Sequence, residues 1–338
     1  MTRVAEAIEE IKQGRMVIMM DDEDRENEGD LVYAATFSTP EHVNFMATHA
    51  KGLICVTIEN DVAARLSLAP MVQKNNSNHE TAFTISVDAA SATTGISAHE
   101  RDTTIKILAD HRSHADELVR PGHIFPLIAK EGGVLVRVGH TEGATDLCRL
   151  AGVAPVGVIC EVMKDDGTMA RRDDLITFGK EHGLKIIYIS DLVEYRLKRE
   201  SLVKVIMDQD DDFMAGTKRQ IIFEDHLGRT HRVVVFGPLD HTMNVKFHNL
   251  QSDLALLTNH NRYHGLFKAV EALEAQGGVL VFLEGEGASG ATIKEYGIGA
   301  QILHALGITH VKLLTSHATS EFAALGGFGL EIEKIVLG

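Results

Sequence analysis

The most informative part of this chain runs from Met16 to Asp30 and reads MVIMMDDEDRENEGD. Its first five residues are apolar and typical of a buried strand, and the next ten contain seven carboxylates. The acids therefore leave the end of a strand, where α/β proteins usually place chemistry. Carboxylates this close repel one another unless a cation lies among them, and Mg²⁺ or Mn²⁺ prefers such oxygen ligands. A charged surface turn is the competing interpretation.

The composition is that of a globular protein with two domains. The chain has 338 residues, 44% hydrophobic and 24% charged, which is enough for two cores. A net charge of −15 disfavours a nucleic-acid partner, and no apolar run reaches the roughly 20 residues that a membrane span requires. The three cysteines, Cys55, Cys148 and Cys160, form neither a disulfide framework nor a CxxC pair. This predicts a reducing compartment, the cytoplasm.

Alternating helical and strand-like patterns over residues 1–200 predict an α+β fold, a layered α/β sandwich with a mixed sheet. A charged helix over Leu192–Leu202 is predicted to connect it to a second α/β domain over residues 203–338. The strands predicted in the first domain are Met16–Met20, Leu53–Ile58, Ala82–Val87, Val134–Val138, Val156–Glu161 and Leu184–Ile189. The helices predicted there are Val4–Gln13, Pro40–Thr48, Thr103–Ala109, Thr141–Ala151 and Arg172–His182. In the second domain we predict strands at Gln220–Glu224, Arg232–Phe236, Val279–Leu283 and Val311–Thr315, and helices at Leu266–Ala275 and Ile298–Leu306.

Three further stretches of the first domain carry side chains suited to chemistry. Arg120–His123 predicts a turn that presents a histidine. Arg137–Glu142 predicts a strand that runs into a helix capped by Thr141, whose free N–H groups would bind phosphate beside Arg137. His140 is a candidate metal ligand, and Glu161, at the end of an apolar strand, is a candidate for proton transfer. An ordinary turn, cap or strand end is the competing interpretation in each case.

Five stretches, taken in order, resemble the signature motifs of 3,4-dihydroxy-2-butanone 4-phosphate synthase, an enzyme of riboflavin biosynthesis. The resemblance covers about residues 1–200. One departure is Glu100, where the family usually has aspartate before the arginine that Arg101 matches. The five stretches are Asp22–Asp30, Thr93–Ala98, Arg120–His123, Arg137–Glu142 and Asp166–Arg171.

The resemblance implies a lyase that converts D-ribulose 5-phosphate into 3,4-dihydroxy-2-butanone 4-phosphate and formate, with Mg²⁺ or Mn²⁺ as cofactor. It also implies a homodimer. It places Glu26 and His140 at the metal-ligand positions, and His123 and Glu161 at positions essential for catalysis. The positions it assigns to substrate binding are Arg25, Glu26, Asp30, Arg137, Val138, Gly139, His140, Thr141 and Glu161.

The second half resembles GTP cyclohydrolase II, best over Glu295–Leu303, but lacks that family's zinc ligands. The family holds a catalytic zinc with three cysteines, and this chain has no cysteine after Cys160. The family's Gly-Arg-Gly loop is replaced by Glu284–Gly290, which has no arginine, and its aspartate and arginine appear as Thr292 and Lys294. We therefore predict a degenerate domain that binds no zinc and has lost cyclohydrolase activity. If the domain keeps a role, we expect that role to be structural.

Two other functions stay open at this point. His231, His241 and His248 could build a replacement metal site, in which case the chain would also hydrolyse GTP. Alternatively, the whole chain could be a non-catalytic scaffold. The presence of all the candidate catalytic and metal-binding residues argues against the scaffold, because a decayed site should have lost some of them.

Overall fold

The computed structural model describes residues 2–21, 26–77, 81–214, 216–284, 296–315 and 328–336, without the side chains of residues 262 and 296. Contacts within the chain divide it into two compact units. The first comprises residues 1–134 and 138–195, and the second residues 135–137 and 196–338. Over these described ranges each unit carries one seven-stranded sheet together with helices. The fold class predicted from the sequence is confirmed.

Helices and strands alternate along the first unit. Its helices are α1 (Arg3–Lys12), α2 (Pro40–Phe45), α3 (Asn60–Arg65), α4 (Ala98–Ala109), α5 (His140–Leu150), α6 (Arg172–His182) and α7 (Ile189–Leu197). Its strands are β1 (Val17–Met20), β2 (Gly29–Ala34), β3 (Cys55–Ile58), β4 (Val87–Ala89), β5 (Leu118–Ile128), β6 (Gly157–Glu161) and β7 (Lys185–Tyr188). The order in the sheet is β4-β5-β3-β6-β2-β1-β7, and the sheet mixes parallel and antiparallel pairs.

The acidic run is the connection of a β-hairpin. Met19 pairs with Asp30 and Met20 with Gly29, so β1 and β2 are antiparallel neighbours joined by the acids between them. Glu28 accepts a backbone hydrogen bond from Asp21 at 3.3 Å, which closes the base of this connection. The hairpin therefore holds the described acids of the run, Asp21, Glu26, Glu28 and Asp30, at one end of the sheet.

Helices cover both faces of this sheet. On one face, apolar residues of α2, α3, α4 and α6 form a common core with alternate residues of the strands, such as Ile18, Leu31 and Val158. On the other face α5 packs closely, because Gly143 leaves room for the Met19 sulfur: a Cβ there would lie 2.5 Å from it. The residues of β1, β2 and β6 that point toward α5 alternate with those of the core. Asp30 and Glu161, which pair across β2 and β6, share that α5 face.

Most predicted elements of the first unit are found within a few residues, and three predictions are wrong. Val134–Val138 is not a strand, since a 3₁₀ turn occupies Gly133–Leu135 and the chain then runs irregularly into α5. The strand predicted at Ala82–Val87 forms only at Val87–Ala89. The turn predicted at Arg120–His123 lies within β5.

The predictions also miss β2 and most of β5, and they start α4 five residues late. The acids mask the start of β2, and Pro121 and Gly122 interrupt the apolar pattern of β5. The helix α4 begins after Ser97, whose hydroxyl accepts a hydrogen bond from the Glu100 backbone N–H at 3.2 Å. Serine followed three residues later by glutamate is a start signal that was available in the sequence.

The second unit has its own mixed sheet. The described elements are β8 (Val203–Phe213), β9 (Gly216–Asp225), β10 (Thr230–Phe236), β11 (Thr242–Asn249), α8 (Asp253–Leu257), α9 (His260–Gln276), β12 (Gly278–Leu283), α10 (Tyr296–Ala305), β13 (His310–Thr315) and β14 (Glu331–Val336). The order in the sheet is β14-β13-β11-β12-β10-β9-β8. One of the cores packs α9 against this sheet through Ala269, Leu273 and Val234. The predictions miss β8, β11 and β14.

No helix in the described ranges is both long enough and apolar enough to cross a membrane.

Candidate active site

A carboxylate–histidine cluster lies where β1 ends. Asp21, Glu26 and His140 each offer a ligand atom, and these three atoms lie within 4.8 Å of one another. Elsewhere in the described ranges no other group of three or more histidine, cysteine or acidic side chains meets in this way. The Asp21 carboxylate is oriented by its own hairpin, because it accepts hydrogen bonds from the backbone N–H groups of Glu26 at 3.0 Å and Glu28 at 2.9 Å.

Asp30 extends this cluster. Its Oδ1 lies 4.0 Å from His140 Nε2, while His140 Nδ1 lies 3.7 Å from Glu26 Oε2. Asp30 Oδ1 is buried, and no hydrogen-bond partner is present for it among the described residues. Burial above all, and then the charges of Glu161, Glu26 and Asp21, raise the pKa of Asp30 to about 7, against the opposing effect of His140. The carboxylates thus repel one another here.

These residues fit a divalent cation of the magnesium type. Oxygen donors dominate the group, and the imidazole of His140 completes it. Asp30 Oδ1 has no hydrogen-bond partner among the described residues, and burial and neighbouring acids raise the pKa of Asp30. Both features indicate that the ionised carboxylate is poorly compensated here, and a cation would compensate it. The sequence predicted Glu26 and His140 in this role, and the structure brings them together with Asp21.

Helix α5 begins at the cluster. Gly139 is its N-cap and His140 its first helical residue, so the prediction that Thr141 is the cap is wrong by two positions. Two buried carboxylates of α5 anchor the segment that precedes the helix. Glu142 accepts a hydrogen bond from the Lys130 backbone N–H at 3.0 Å, and Asp146 accepts one from the Val134 backbone N–H at 2.8 Å. Gly139, at the N-cap, has no side chain that could accept hydrogen bonds from the N–H groups of the first turn.

Glu161 lies at the end of β6, next to Asp30 in the ladder. Its Oε2 accepts a hydrogen bond from the Leu53 backbone N–H at 2.8 Å, which orients the carboxylate. Cys55 of β3 pairs with both Phe125 of β5 and Ile159 of β6, so the strands that carry His123 and Glu161 are the two neighbours of β3.

His123 lies in an irregular part of β5, where the pairing with β4 is interrupted. Val87 pairs with Ile124 and Asp88 with Val119, so residues 120–123 leave the ladder between the two pairs. The side chain of His123 is 44% exposed, and its Nδ1 lies 2.7 Å from Asp88 Oδ2. Sequence analysis did not single out Asp88, although an acid after the apolar Val87 is the same signal that identified Glu161.

The remaining predicted substrate contacts are placed less fully. Arg25 lies outside the described residues. Arg137 is half-buried and belongs by its contacts to the second unit, so its role as a phosphate contact stays a prediction. Val138 is half-buried and Gly139 buried, and both belong to the first unit directly before His140.

The histidines proposed as a replacement metal site in the second unit have other partners. His231 Nε2 lies 3.0 Å from the buried Asp225 carboxylate, and His241 Nδ1 lies 2.9 Å from the Gly307 carbonyl oxygen. His248 packs edge-on against the Phe282 ring, with ring centroids 5.6 Å apart. The altered loop after Glu284, with Thr292 and Lys294, lies outside the described residues.

Two family models match parts of this chain. The model of the 3,4-dihydroxy-2-butanone 4-phosphate synthase family matches residues 5–195, and that of GTP cyclohydrolase II matches residues 287–337. A 3,4-dihydroxy-2-butanone 4-phosphate synthase of Sulfurospirillum multivorans is 57% identical over 98% of this chain and 93% of the relative. A Bacillus cereus protein named riboflavin biosynthesis protein RibBA is 42% identical over 99% of this chain and 93% of the relative.

Solved structures agree. A two-domain 3,4-dihydroxy-2-butanone 4-phosphate synthase from A. baumannii, named RibBX, aligns over 100% of both chains with a TM-score of 0.72 and 40% identity. A synthase in complex with two magnesium ions covers 59% of this chain and 98% of its own, with a TM-score of 0.56 and 40% identity. The motifs, the fold and these relatives lead to one conclusion: the chain belongs to the 3,4-dihydroxy-2-butanone 4-phosphate synthase family.

Proposed function

We propose that the first unit converts D-ribulose 5-phosphate into 3,4-dihydroxy-2-butanone 4-phosphate and formate, as a lyase of riboflavin biosynthesis. The observation that carries this proposal is the group formed by Asp21, Glu26 and His140, beside the paired Asp30 and Glu161. The family relationship supplies the reaction, and the geometry supplies residues suited to it.

Glu26 and His140 are the proposed ligands of Mg²⁺ or Mn²⁺, with Asp21 as a third donor. A bound cation supplies Lewis-acid stabilisation of negative charge that develops on the substrate. Asp21 orients Glu26 by accepting its backbone N–H, so the two ligand positions depend on each other. Asp30 and the helix start at His140 are proposed to bind the substrate from the same side.

Proton transfer is assigned to His123 and Glu161. Enolisation of a ketose phosphate requires a group that removes a proton from carbon and returns protons later in the sequence. Glu161 is held by the Leu53 N–H, and the ring of His123 is held by Asp88. Arg25, Arg137, Val138, Gly139 and Thr141 complete the proposed substrate contacts on the basis of the family motifs alone.

We propose further that the second unit has no cyclohydrolase activity and holds no zinc. The absence of cysteines after Cys160 and the partners found for His231 and His241 support this proposal. The Sulfurospirillum relative, which aligns with nearly this whole chain, is named for the synthase alone. A homodimer is proposed on the family resemblance, and light scattering of the purified chain would test it.

One assay tests both units, because ribulose 5-phosphate and GTP would each yield formate. The purified chain is given Mg²⁺ and each substrate in separate reactions, and its zinc content is measured. We expect formate from ribulose 5-phosphate alone, and no stoichiometric zinc. Formate from GTP would show a bifunctional enzyme with a metal site outside the cysteine type, and no formate from either substrate would favour a scaffold.

A further inference from the structure

A buried aspartate holds the histidine that we propose as a proton carrier. Asp88 Oδ2 lies 2.7 Å from His123 Nδ1, and Asp88 Oδ1 accepts a hydrogen bond from the His123 backbone N–H at 2.8 Å. Asp88 is 6% exposed, whereas the His123 side chain is 44% exposed. A single carboxylate thus fixes both the backbone and the ring of His123, and the ring still reaches solvent.

The position of Asp88 follows from the irregular pairing of β4 and β5. Residues 120–123 leave the ladder between the pairs Val87–Ile124 and Asp88–Val119. The segment is tied back to β4 and the residues before it by two backbone N–H groups, that of Gly122 to the Ser86 hydroxyl at 3.2 Å and that of His123 to Asp88. The carboxylate therefore replaces ladder hydrogen bonds that a regular strand would have made.

A loop behind the carboxylate limits its movement. Gly95 has a φ of +80°, and a Cβ there would lie 2.0 Å from Asp88 Oδ2 and 2.8 Å from His123 Nδ1. Glu100 holds this loop, since its carboxylate accepts hydrogen bonds from the Thr93 N–H at 2.6 Å, the Thr93 hydroxyl at 2.7 Å and the Gly95 N–H at 3.1 Å. These hydrogen bonds lower the pKa of Glu100 to about 2. Glu100, the residue that departs from the family pattern, therefore stabilises this loop.

We propose that Asp88 is a positioning residue for His123, which keeps the ring proton on Nδ1 and leaves Nε2 as the nitrogen that exchanges a proton with the substrate. A carboxylate can only accept, so Nδ1 must carry the hydrogen, and the lone pair of the neutral ring is then on Nε2. When Nε2 takes a proton from the substrate, the adjacent carboxylate stabilises the imidazolium until that proton is returned. This role rests on the proposed function of His123.

Of the ionisable groups described here, Asp88 contacts the ring of His123, and Glu100 holds the loop that contains Gly95.

The first test measures the tautomer of His123 directly and needs no substrate. The full chain is labelled with ¹⁵N-histidine, and the His123 signals are assigned from their loss in H123Q, since the chain has 18 histidines. We expect the neutral ring to carry its hydrogen on Nδ1 in the wild type. A ring with its hydrogen on Nε2 would overturn the proposal.

The second test is kinetic and uses D88N. We expect kcat for formate release to fall about 10- to 100-fold with little change in KM, as is usual when the partner of a working histidine is lost. In D88N the neutral ring should no longer keep its hydrogen on Nδ1 alone, because the asparagine amide can donate to this nitrogen as well as accept from it. D102N is the matched control, since Asp102 is equally buried, at 5% exposure, and pairs with Lys106 on α4.

Two results with D88N would overturn the proposal: a wild-type kcat, or a lower kcat with the tautomer of His123 unchanged. If D88N does not fold, the wild-type tautomer decides. A wild-type chain that releases no formate from ribulose 5-phosphate would remove the proposed function, while the tautomer measurement would still show whether Asp88 orients the ring.

Discussion

Asp30 in the first unit and Asp225 in the second are buried alike, at 3% and 4% exposure, and carry charge in opposite ways. Burial and neighbouring acids raise the pKa of Asp30 to about 7. Burial acts in the same direction on Asp225, yet hydrogen bonds from Arg229 and His231 outweigh it and lower the pKa to about 2. A buried carboxylate among carboxylates destabilises the fold until a cation or substrate binds, whereas one with donors stabilises it. The first arrangement is typical of a site and the second of a structural ion pair.

The largest expected effect comes from removing His140 from the cluster. In H140A we expect formate release from ribulose 5-phosphate to fall about 10³-fold, because loss of the cation removes about 4 kcal/mol of stabilisation of developing charge. Mn²⁺ titration followed by electron paramagnetic resonance should show weaker binding. H241A is the control in the second unit, where the ring nitrogen Nδ1 faces the Gly307 carbonyl oxygen, and it should leave both measurements unchanged. Equal loss in the two variants would erase the contrast between the units.

Glu161 should have the next largest effect. E161Q keeps the size of the side chain and can still accept from the Leu53 N–H, but it cannot carry a proton. We therefore expect kcat to fall about 10²-fold with Mn²⁺ binding retained. The control is E181Q, an exposed glutamate on α6. If E161Q loses metal affinity and keeps kcat in saturating metal, Glu161 is a ligand and the assignment of proton transfer to it is wrong.

Asp225 tests the other side of the comparison. D225N should destabilise the second unit by about 2 kcal/mol, because the Arg229 and His231 side chains lose a charged acceptor. Hydrogen exchange at Val233–Val235 in β10 would report this, while formate release at pH 7 should persist. The folded pKa lies below the ordinary value of about 4, so the wild-type contribution is present above pH 4 and lost as the pH falls toward 2. Exchange in D225N should lack that pH dependence; if it keeps it, another group is responsible.

The smallest effect is expected where a pair is exposed. Arg219 and Asp208 bridge β8 and β9 at 2.7 Å, with side chains 47% and 40% exposed. D208N should cost less than about 1 kcal/mol, and less still in 0.5 M salt, because exposed pairs are screened. Hydrogen exchange along β9 in both salt conditions would measure it. A cost as large as that of D225N would show that burial does not set the difference between the two pairs.

The residues that the structure brings together at the end of the first sheet were easier to single out from the sequence than the strands around them. Glu26, Asp30, His140 and Glu161 were found because acids and a histidine follow apolar runs, and such interruptions are visible one residue at a time. Strands β8, β11 and β14 were missed because they carry polar residues on exposed positions, and pairing partners far along the chain decide whether such segments form.

Two other errors, at Thr141 and Asp88, come from contacts between residues that are separated in sequence. Thr141 is a good capping residue in isolation, yet Glu142 and Asp146 anchor the preceding segment and α5 starts at His140 instead. Asp88 was overlooked because its importance depends on the shift in pairing at Val87, which places His123 against it. Neither the anchoring nor the shift can be read from residues adjacent in sequence.

The row of the sheet that joins Asp30 to Glu161 also bears on how this protein tolerates change. Side chains alternate between the two faces of a strand, so inserting one residue in β6 before Glu161 would turn Glu161 away from α5 and bring Cys160 into its place. A substitution in this strand can have a small effect on the site, whereas a change in the length of the strand moves every following side chain to the other face. Evolution of this family should therefore place its insertions in connections such as that before β4, and leave the lengths of β2 and β6 constant.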